Sequence, residues 1–270
     1  MKYDVAVITV TKDKIDPECL PSVGCLLRSS NLKIKFVLVD NNSTTFEAHS
    51  LVKQHLPKAT VILRNQNYGM GHSSNRGAAE VEADYYFFLN PDTVIIDLNL
   101  LDQLRDFLQA CPKIGLVAPQ VCYPDGRVQD TCRRFPKWFS PIAQRTSVLS
   151  KTAAERHRQE FLMEDYNHQK VRMVDWVQGS AFMIESGFFK ELGGFDERFF
   201  MYYEDVDLCR RCWQKNRPVY YLPEVKLLHS YGKGSAVSGG LIKGLLKNRM
   251  ARAHIVSWIK YTFKWFGKKI

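Results

Sequence analysis

Two acidic clusters, separated by more than a hundred residues, carry side chains that could act together in catalysis. Asp92 closes an Asn-Pro-Asp segment after the apolar run 85–89, and Glu204 and Asp205 follow the aromatic run 199–203. A carboxylate at the end of a buried strand is suited to hold a divalent metal ion against phosphate oxygens. A carboxylate behind an aromatic wall is suited to take a proton from an incoming hydroxyl. The two clusters indicate metal-assisted transfer of a group from a nucleoside diphosphate to an alcohol.

Acidic residues at strand ends and helix starts also have a simpler explanation, because they favour solubility and the positive end of a helix. Asp207, two residues beyond Asp205, is expected only to cap the following helix. The isolated histidines are expected to be solvated surface residues. They are His49, His55, His72, His157, His168 and His254.

Strand and helix patterns alternate along the first ninety residues, and these elements must position the acids. The alternation predicts a parallel, doubly wound sheet, in which ligands bind beyond the carboxyl ends of the strands. Asp40, the loop 67–71 and Asp92 fall at such ends, so one crevice should gather them. The predicted strands are 5–10, 35–39, 60–63 and 85–89. The first predicted helix spans 17–30. The second is capped by Ser43 or Thr44 and reaches residue 55, and the third follows the loop 67–71.

The second half of the chain predicts shorter and more varied elements. Residues 133–172 are expected to be irregular and to form a lid or insertion. A helix is expected to stop at Gly193-Gly194, since paired glycines are typical of helix ends. The other predictions are helices 98–110 and 206–216, a hairpin turn at 123–127, and strands 114–121, 174–185, 219–222 and 225–229.

The net charge of +10 is concentrated at the C-terminal end of the chain. Residues 225–270 contain ten Lys and Arg and no Asp or Glu, so the remaining 28 basic residues equal the 28 acidic ones. This asymmetry predicts an anionic partner for the C-terminal segment, either a membrane surface or a polyanion. A nucleic-acid-binding protein is expected to carry a basic patch on its body as well, so no nucleic-acid partner is predicted.

The C-terminal segment predicts a helix over 241–266. Val256, Ile259, Phe263 and Phe266 would share one face. Such a helix could lie in an anionic membrane interface. It could instead pack on the body with its basic edge in water. In the first arrangement, a stripe of Lys260, Lys264 and Lys268 would lie beside the apolar face, and Trp258, Tyr261 and Trp265 would lie near the headgroups.

Nothing in the sequence predicts export or a membrane span. The N-terminus runs directly into a strand-like segment, and no uncharged apolar run approaches about 20 residues. The seven cysteines form no paired framework, which is typical of reduced thiols in a cytoplasm. We therefore expect a cytoplasmic protein.

Five motifs, taken in order and spacing, resemble family 2 glycosyltransferases of the GT-A fold, in the bacterial rhamnosyltransferase-like branch. They are VDNNS at 39–43, NYGMGHSSNRG at 67–77, LNPDT at 89–93, GGFDERFFMYYEDVDLCRR at 193–211, and His229. The resemblance covers the chain from residue 5 to about residue 252. It implies an α/β fold with a Rossmann-like, mostly parallel sheet, a small acceptor-side subregion and a basic helical tail.

The resemblance implies a donor site for a nucleoside diphosphate sugar. Asp40 would bind the nucleobase, and a carboxylate there suits the imide of uracil or thymine, so UDP- or dTDP-sugars are expected. Asn75 and Arg76 would grip the nucleotide and its phosphates. The further donor-site residues are Thr9, Thr11, Asn42, Asn67 and Asn90.

The resemblance also implies a metal site and a catalytic base. Asp92 would bind Mn²⁺ or Mg²⁺, and His229 would complete the metal shell. Asn90 replaces one acid of the family's Asp-x-Asp element, so metal binding should depend on the donor's diphosphate. Asp205, with Glu204 beside it, would deprotonate the acceptor for an inverting transfer. Trp176, Gln178 and Gly179 match a segment near the acceptor, although Trp176 could equally be core.

The resemblance implies an acceptor that is a growing cell-surface glycan or a lipid-linked glycan, and L-rhamnose from dTDP-rhamnose is the preferred donor by likeness alone. It also implies a protein that is peripheral on the inner face of the bacterial plasma membrane. A sugar nucleotidyltransferase is an alternative, but its glycine-rich loop is missing after the first strand. The polyanion-binding alternative depends on the tail. A dinucleotide oxidoreductase is excluded because no GxGxxG follows that strand. The expected divisions are a nucleotide-sugar half at 1–120, an acceptor and catalytic half at 121–235, and basic helices at 236–270.

Overall fold

The computed structural model describes residues 1–45, 47–137, 151–230 and 248–268. The strands are β1 (Tyr3–Thr11), β2 (Ile34–Asp40), β3 (Thr60–Leu63), β4 (Ala83–Leu89), β5 (Thr93–Ile95), β6 (Leu116–Cys122), β7 (Cys132–Arg133), β8 (Arg172–Val174), β9 (Trp176–Val177), β10 (Ala181–Glu185) and β11 (Val219–His229). The helices are α1 (Cys19–Ser29), α2 (Ala48–His55), α3 (Met70–Ala79), α4 (Leu100–Ala110), α5 (Lys151–Leu162), α6 (Ser186–Glu191), α7 (Glu204–Gln214) and α8 (Arg249–Trp265).

One large, mostly parallel sheet organises the molecule. Among the described residues it has nine strands in the order β3-β2-β1-β4-β10-β6-β11-β5, and β8 pairs with β11. Strands β1, β2, β3 and β4 pair in parallel, as do β6 and β11, whereas β5, β8 and β10 run antiparallel to their neighbours. The prediction of an α/β fold with a mostly parallel sheet flanked by helices is confirmed.

Strand β1 lies where the direction of winding reverses. The chain passes from β1 to β2 and β3 on one side, and then returns to β4 on the other side. Helix α3 packs closely on β1, because a Cβ atom at Gly77 would come within 2.8 Å of Cγ2 of Ile8. In sheets of this kind, ligands bind beyond the carboxyl ends of the strands at such a reversal. The fold therefore places a crevice beyond the ends of β1 and β4.

The central strand β4 is buried on both faces of the sheet. Tyr86 and Phe88 join one apolar cluster, and Phe87 and Leu89 join the other, as alternation along a strand requires. The same burial on two faces explains why this run reads as continuously apolar in the sequence. A rigid strand thus leads directly to Asn90 and Asp92.

Several sequence-based boundaries are wrong, and the first concerns the start of α2. This helix begins at Ala48, so Ser43 and Thr44 do not cap it. Ser43 instead donates its backbone N–H to Asp40 at 2.8 Å and accepts the backbone N–H of Asp13 at 2.8 Å. The hydrogen bonds of this loop are made across the strand ends rather than to the following helix.

The region 133–172 is not wholly irregular, because it contains α5; residues 138–150 lie outside the described part of the chain. The single strand expected at 174–185 is three short strands. Of these, β8 and β10 join the main sheet, whereas β9 pairs with β7 in a separate two-stranded sheet. The chain therefore leaves the main sheet between Val174 and Ala181, and this excursion carries Gln178 and Gly179.

The last two strands expected from the sequence are one strand, β11, with an irregular register between Leu222 and Lys226. The helix expected from residue 241 is described from Arg249, and residues 241–247 lie outside the described part. Asn248 caps α8, since its side-chain oxygen accepts the N–H of Met250 at 2.9 Å. Of the helices in the described segments, none has the length and apolar content that crossing a bilayer requires.

Helix α8 packs on the body of the protein, which corrects the expectation for its aromatic residues. Tyr261 and Trp265 are buried, and Trp258 packs against the same apolar cluster. Lys264 is also directed inward, because it pairs with Asp196 at 2.7 Å and with Asp207 at 2.6 Å. Tyr261, Trp265 and Lys264 are therefore unavailable to lie at a membrane headgroup layer.

Candidate active site

A cavity of about 490 Å³ opens beyond the ends of β1 and β4. Asn90 and Asp92 follow β4 into this cavity, Glu204 and Asp205 enter it from the start of α7, and His229 enters from the end of β11. The two acidic clusters of the sequence thus meet at one site, although 112 residues separate Asp92 from Glu204. The structure brings the two clusters together because β4 ends, and α7 begins, at the same edge of the sheet.

Asp92 and His229 form the polar pair at one end of the cavity. Nε2 of His229 lies 3.1 Å from Oδ1 of Asp92, and Nδ1 lies 3.0 Å from the side-chain oxygen of Gln129. The amide of Gln129 is oriented by the backbone, because its nitrogen donates to the carbonyl oxygen of His229 at 2.8 Å. Its oxygen must therefore accept, so Nδ1 of His229 donates to it. Nε2 is thereby turned towards Oδ1 of Asp92.

This donor set fits a divalent cation. A neutral histidine fixed through its other ring nitrogen is the usual form of a metal-binding histidine. Adjacent ligands around an octahedral ion with bonds of about 2.1 Å lie about 3 Å apart, close to the 3.1 Å between Nε2 and Oδ1. No group of three His, Cys, Asp or Glu suited to a metal occurs in the described residues. Asn90 and a bound diphosphate would have to supply the remaining ligands.

At the start of α7, Glu204 is buried and Asp205 is half-buried, and the two carboxyls have different hydrogen-bond partners. Asp205 accepts the backbone N–H groups of Gly179 at 2.9 Å and Val206 at 2.8 Å. Burial raises the pKa of Asp205, while these donors and the charge of Arg133 oppose the rise. Burial and the charge of Asp205 raise the pKa of Glu204 well above its usual range, and its Oε2 has no hydrogen-bond partner within the described structure. Of the two carboxyls, Asp205 is the better stabilised as a carboxylate.

Asp207 does not cap α7, contrary to the expectation. It is fully buried and faces away from the cavity. Its carboxylate accepts from Nε of Arg211 at 2.8 Å and from the indole N–H of Trp265 at 2.9 Å. The role of Asp207 is therefore to anchor α8 to α7.

The loops at the ends of β2 and β3 are tied together by a side chain that the sequence reasoning did not single out. Asn41 donates to Oδ1 of Asn67 at 2.8 Å and accepts the N–H of Tyr68 at 3.0 Å. Asn42 has a φ of 66°, and its carbonyl oxygen accepts from Lys12 at 2.8 Å. Asp40, Asn42 and Asn67 thus share one edge of the sheet, but none of them lines the cavity.

Thr9 and Thr11 face away from the cavity, whereas Ile8 and Val10 line it, as alternation along β1 requires. Both threonines are buried, and Thr11 donates its hydroxyl to the carbonyl oxygen of Lys14 at 2.6 Å. The side chains predicted to bind the donor at these two positions therefore lie on the opposite face of the sheet.

Asn75 and Arg76 also lie outside the cavity wall, which α3 supplies through Met70 and Ser74. The amide of Asn75 is engaged with the turn before α7, since it donates to the carbonyl oxygen of Phe195 at 2.9 Å and accepts its N–H at 2.8 Å. Arg76 pairs with Glu80 on its own helix at 2.8 Å.

The backbone conformation of Gly69, the residue just before α3, explains why glycine occurs at this position. Its φ is 91°, and a Cβ atom there would overlap the backbone of Phe200. Met70 donates its N–H to the carbonyl oxygen of Phe200 at 2.9 Å. This glycine therefore permits close contact with the aromatic segment that leads to Glu204.

Trp176, Gln178 and Gly179 all line the cavity. Trp176 is buried and donates its indole N–H to the carbonyl oxygen of Arg134 at 2.8 Å, so it is both a core residue and part of the wall. Gln178 is held through its backbone N–H, which donates to Thr131 at 2.7 Å.

The sequence reasoning missed Gln129 and the wall contributed by α8. Gln129 lies 100 residues before the histidine that it orients, so no local pattern could connect them. Met250 and His254 line the cavity, and the ring of His254 packs 5.0 Å from Tyr202 and 5.4 Å from Tyr203. The expectation of solvated histidines is wrong for His254, and also for the buried His157 and His168.

Two bacterial proteins are similar to this chain in sequence. The N-acetylglucosaminyl-diphospho-decaprenol L-rhamnosyltransferase of Mycobacterium tuberculosis (strain H37Rv) is 28% identical over 245 residues, which cover 84% of this chain and 76% of that protein. Rhamnosyltransferase WbbL of Escherichia coli (strain K12) is 27% identical over 173 residues, which cover 60% of this chain and 61% of that protein.

Solved structures share the fold at low identity. GalNAc-T7 with UDP, GalNAc and Mn²⁺ has a TM-score of 0.62 and 16% identity, and the match covers 85% of this chain but only 43% of that one. Mannosyltransferase PcManGT of Pyrobaculum calidifontis, in complex with GDP-Man and Mn²⁺, has a TM-score of 0.55 and 13% identity, with 100% of this chain and 77% of that one covered.

A family model described as "Glycosyltransferase like family 2" matches residues 23–233. The match spans well over half of the 270 residues. The protein therefore belongs to glycosyltransferase family 2 and is a glycosyltransferase of the GT-A fold.

Proposed function

We propose that the protein is an inverting, metal-dependent rhamnosyltransferase. It moves L-rhamnose from dTDP-rhamnose to a hydroxyl of a lipid-linked or growing cell-surface glycan. The observation that carries this proposal is the convergence of Asp92 and His229 with Asp205 on one cavity. Family membership favours this activity over a sugar nucleotidyltransferase.

The choice of donor and acceptor rests on the relatives and on one carboxylate. Two relatives are named as rhamnosyltransferases, and one of them is named for a decaprenol diphosphate acceptor. Asp40 suits the imide N–H of thymine or uracil, which favours a dTDP- or UDP-sugar over a GDP-sugar. With a lipid-linked acceptor, the reaction would take place at the cytoplasmic face of the bacterial plasma membrane.

In this proposal Asp92 and His229, with the side-chain oxygen of Asn90, would hold Mn²⁺ or Mg²⁺ while the donor diphosphate is bound. Such an ion would neutralise the negative charge that develops on the departing diphosphate. Gln129 keeps His229 in the tautomer that can bind a cation through Nε2, because the side-chain oxygen of Gln129 accepts a hydrogen bond from the N–H group at Nδ1.

Asp205 is the proposed base. Its carboxylate accepts the proton of the acceptor hydroxyl while the hydroxyl oxygen bonds to the anomeric carbon. The bond from that carbon to the diphosphate oxygen breaks on the opposite side, so the configuration inverts. Gly179 holds Asp205 in place through its N–H, and the excursion that carries Gly179 also supplies the acceptor wall at Trp176 and Gln178.

The test is a nucleotide-release assay with UDP-, dTDP- and GDP-sugars in the presence of Mn²⁺, Mg²⁺ or EDTA. We expect release from dTDP-rhamnose that EDTA abolishes and that Asp205→Asn lowers by about 10²–10⁴-fold. Asp106→Asn is the matched control, because Asp106 is an exposed aspartate on α4. Thermal-shift binding of the same nucleotides covers the case in which hydrolysis without acceptor is slow. Failure of every nucleotide to bind in the presence of metal would overturn the proposal.

A further inference from the structure

Helix α8 presents an apolar face to solvent. Val256, Ile259, Phe263 and Phe266 are all exposed, and their spacing of three, four and three residues places them on one side of the helix. Phe263 and Phe266 are each 80% exposed. Two phenylalanines held in water forgo a large free energy of burial, so this face is suited to a partner.

The opposite side of α8 is fixed to the body, so the apolar face cannot turn inward. Ser257 donates its hydroxyl to the carbonyl oxygen of Met201 at 2.8 Å. Tyr261 accepts from Arg210 at 3.1 Å, and Trp265 donates to Asp207 at 2.9 Å. These contacts fix the rotation of the helix, and the exposed face is therefore a property of the folded molecule.

The charge around this face identifies the kind of partner. No acidic residue occurs from 225 to 270, and ten basic residues do. Arg249 and Arg252 are exposed towards the start of α8, and Lys268 is exposed just beyond its end. An apolar stripe bordered by cations matches a lipid surface with anionic headgroups, where the rings enter the interface and the cations meet phosphates.

Two other partners fit this surface less well. A second copy of the chain, bound through the same face, would bring two clusters of like charge together at the interface. A nucleic acid would engage the cations but would leave Phe263 and Phe266 without an apolar environment. The combination of exposed rings and basic charge therefore favours a membrane.

The inner side of α8 touches the cavity. Met250 and His254 form part of the cavity wall, and a helix with its side chains is about 10–12 Å across. His254 packs against Tyr202 and Tyr203, which both have a positive φ and directly precede Glu204. A surface bound to the outer face would therefore lie about one helix diameter from the acceptor side of the cavity.

We propose that the outer face of α8 docks on the surface of an anionic lipid bilayer and brings the cavity to lipid-linked acceptors. The acceptor part of this inference rests on the proposed function, whereas the docking part does not. Val256, Ile259, Phe263 and Phe266 enter the interface, and Arg249, Arg252 and Lys268 lie at headgroup level.

The test is co-sedimentation of the full-length protein with vesicles of phosphatidylcholine, with or without phosphatidylglycerol. We expect binding that requires phosphatidylglycerol. Phe263→Ser together with Phe266→Ser should weaken this binding at least about tenfold. The matched control is Leu63→Ser with Ile96→Ser, because Leu63 is 63% exposed, Ile96 is 53% exposed and neither lies on α8. The control should bind like the unmodified protein.

Equal binding of the two double variants would overturn the proposal. So would a concentration-dependent dimer, seen by light scattering, that the Phe263→Ser and Phe266→Ser variant alone loses, since the face would then be a self-interface. Nucleotide release measured without vesicles separates the two hypotheses. Vesicle binding without any nucleotide release or nucleotide binding would leave docking supported and the proposed function rejected.

Discussion

Trp265, the last residue of α8, donates its indole N–H to the carboxylate of Asp207 at 2.9 Å. Asp207 lies two residues beyond Asp205 on α7 and also pairs with Arg211 at 2.8 Å and Lys264 at 2.6 Å. The carboxylate is fully buried. The final helix of the chain is therefore bonded to the helix that carries the acidic pair of the cavity.

Replacement of Asp207 by alanine should strongly destabilise the protein. The substitution leaves the largely buried Arg211 without its paired carboxylate and leaves Lys264 with Asp196 alone; removal of one partner of a buried ion pair typically costs about 3–5 kcal/mol. Urea unfolding measures the free energy directly. Asp106→Ala, at an exposed position, should change it by less than about 0.5 kcal/mol. Similar losses for the two variants would show that the anchor contributes little.

Replacement of Gln129 by methionine should weaken metal binding rather than abolish folding. Methionine keeps the length of the side chain but lacks the amide oxygen that accepts the hydrogen bond from Nδ1 of His229. Loss of such a partner typically costs about 10–100-fold in metal affinity. Electron paramagnetic resonance of Mn²⁺, titrated with dTDP present, reports binding without turnover.

The matched control for this experiment is Gln54→Met, because Gln54 is an exposed glutamine on α2. Thermal unfolding of both variants identifies any general loss of stability. If Gln129→Met bound Mn²⁺ as tightly as the control did, the orienting role assigned to Gln129 would be excluded.

The sequence predicts the sheet better than the details of the site. Strand β4 is recognisable because its residues are apolar on both faces, and Asp92 follows it directly. Family resemblance brings His229 to Asp92, and the structure shows the contact. The strand is predictable because a continuous apolar run encodes it locally, whereas the contact between His229 and Asp92, 137 residues apart, is expected from the family resemblance alone.

Other features fail to appear in the sequence because they depend on contacts between distant segments. Asn75 lies in a recognisable motif, but its amide binds the backbone of Phe195, 120 residues away. The strand expected at 174–185 breaks because β9 pairs with β7, and no local pattern announces that partner. Trp265 is aromatic on a basic helix whether it faces lipid or Asp207, so only the packed structure distinguishes the two.

The pH dependence of catalysis should identify which acid is the base. Burial raises the pKa of Asp205, and a base must be deprotonated, so kcat/KM should fall as pH is lowered through that raised value. Glu204, whose pKa is raised further, should stay protonated and take no proton. Glu204→Gln should therefore retain the acidic limb of the profile and activity within about tenfold, while Asp205→Asn loses about 10²–10⁴-fold. Loss of the acidic limb in Glu204→Gln would assign the base to Glu204.

The stability of the protein should fall as pH rises because of Glu204. A carboxyl whose pKa is raised in the folded state binds its proton more tightly there than in the unfolded chain. The stabilisation that Glu204 contributes is fully present below its unfolded-state pKa of 4.5 and is lost as pH rises through its folded-state pKa. Glu204→Gln should therefore stabilise the protein at pH 8 relative to the unmodified chain, with little difference near pH 4. Urea unfolding at both values measures this, and Glu82→Gln, at an exposed residue, is the control.

Lys264 and Lys268 should separate the structural and lipid-facing roles of the basic tail. Lys264 is 16% exposed and is paired with Asp196 and Asp207, so Lys264→Gln should lower the free energy of unfolding by about 3 kcal/mol. It should leave the vesicle affinity of the folded protein unchanged, because its ammonium group faces the body. Lys268 is exposed, so Lys268→Gln should instead weaken vesicle binding and leave the free energy of unfolding almost unchanged.

For Lys268→Gln we expect a change in stability below about 0.5 kcal/mol and about fivefold weaker binding to phosphatidylglycerol vesicles, as removal of about 1 kcal/mol of headgroup attraction predicts. Urea unfolding and co-sedimentation of both variants, at one salt concentration, measure the two effects. If Lys264→Gln lost vesicle binding while Lys268→Gln kept it, α8 would have to meet the bilayer through the side that the structure packs against α7. That outcome would contradict the orientation fixed by Trp265 and Asp207.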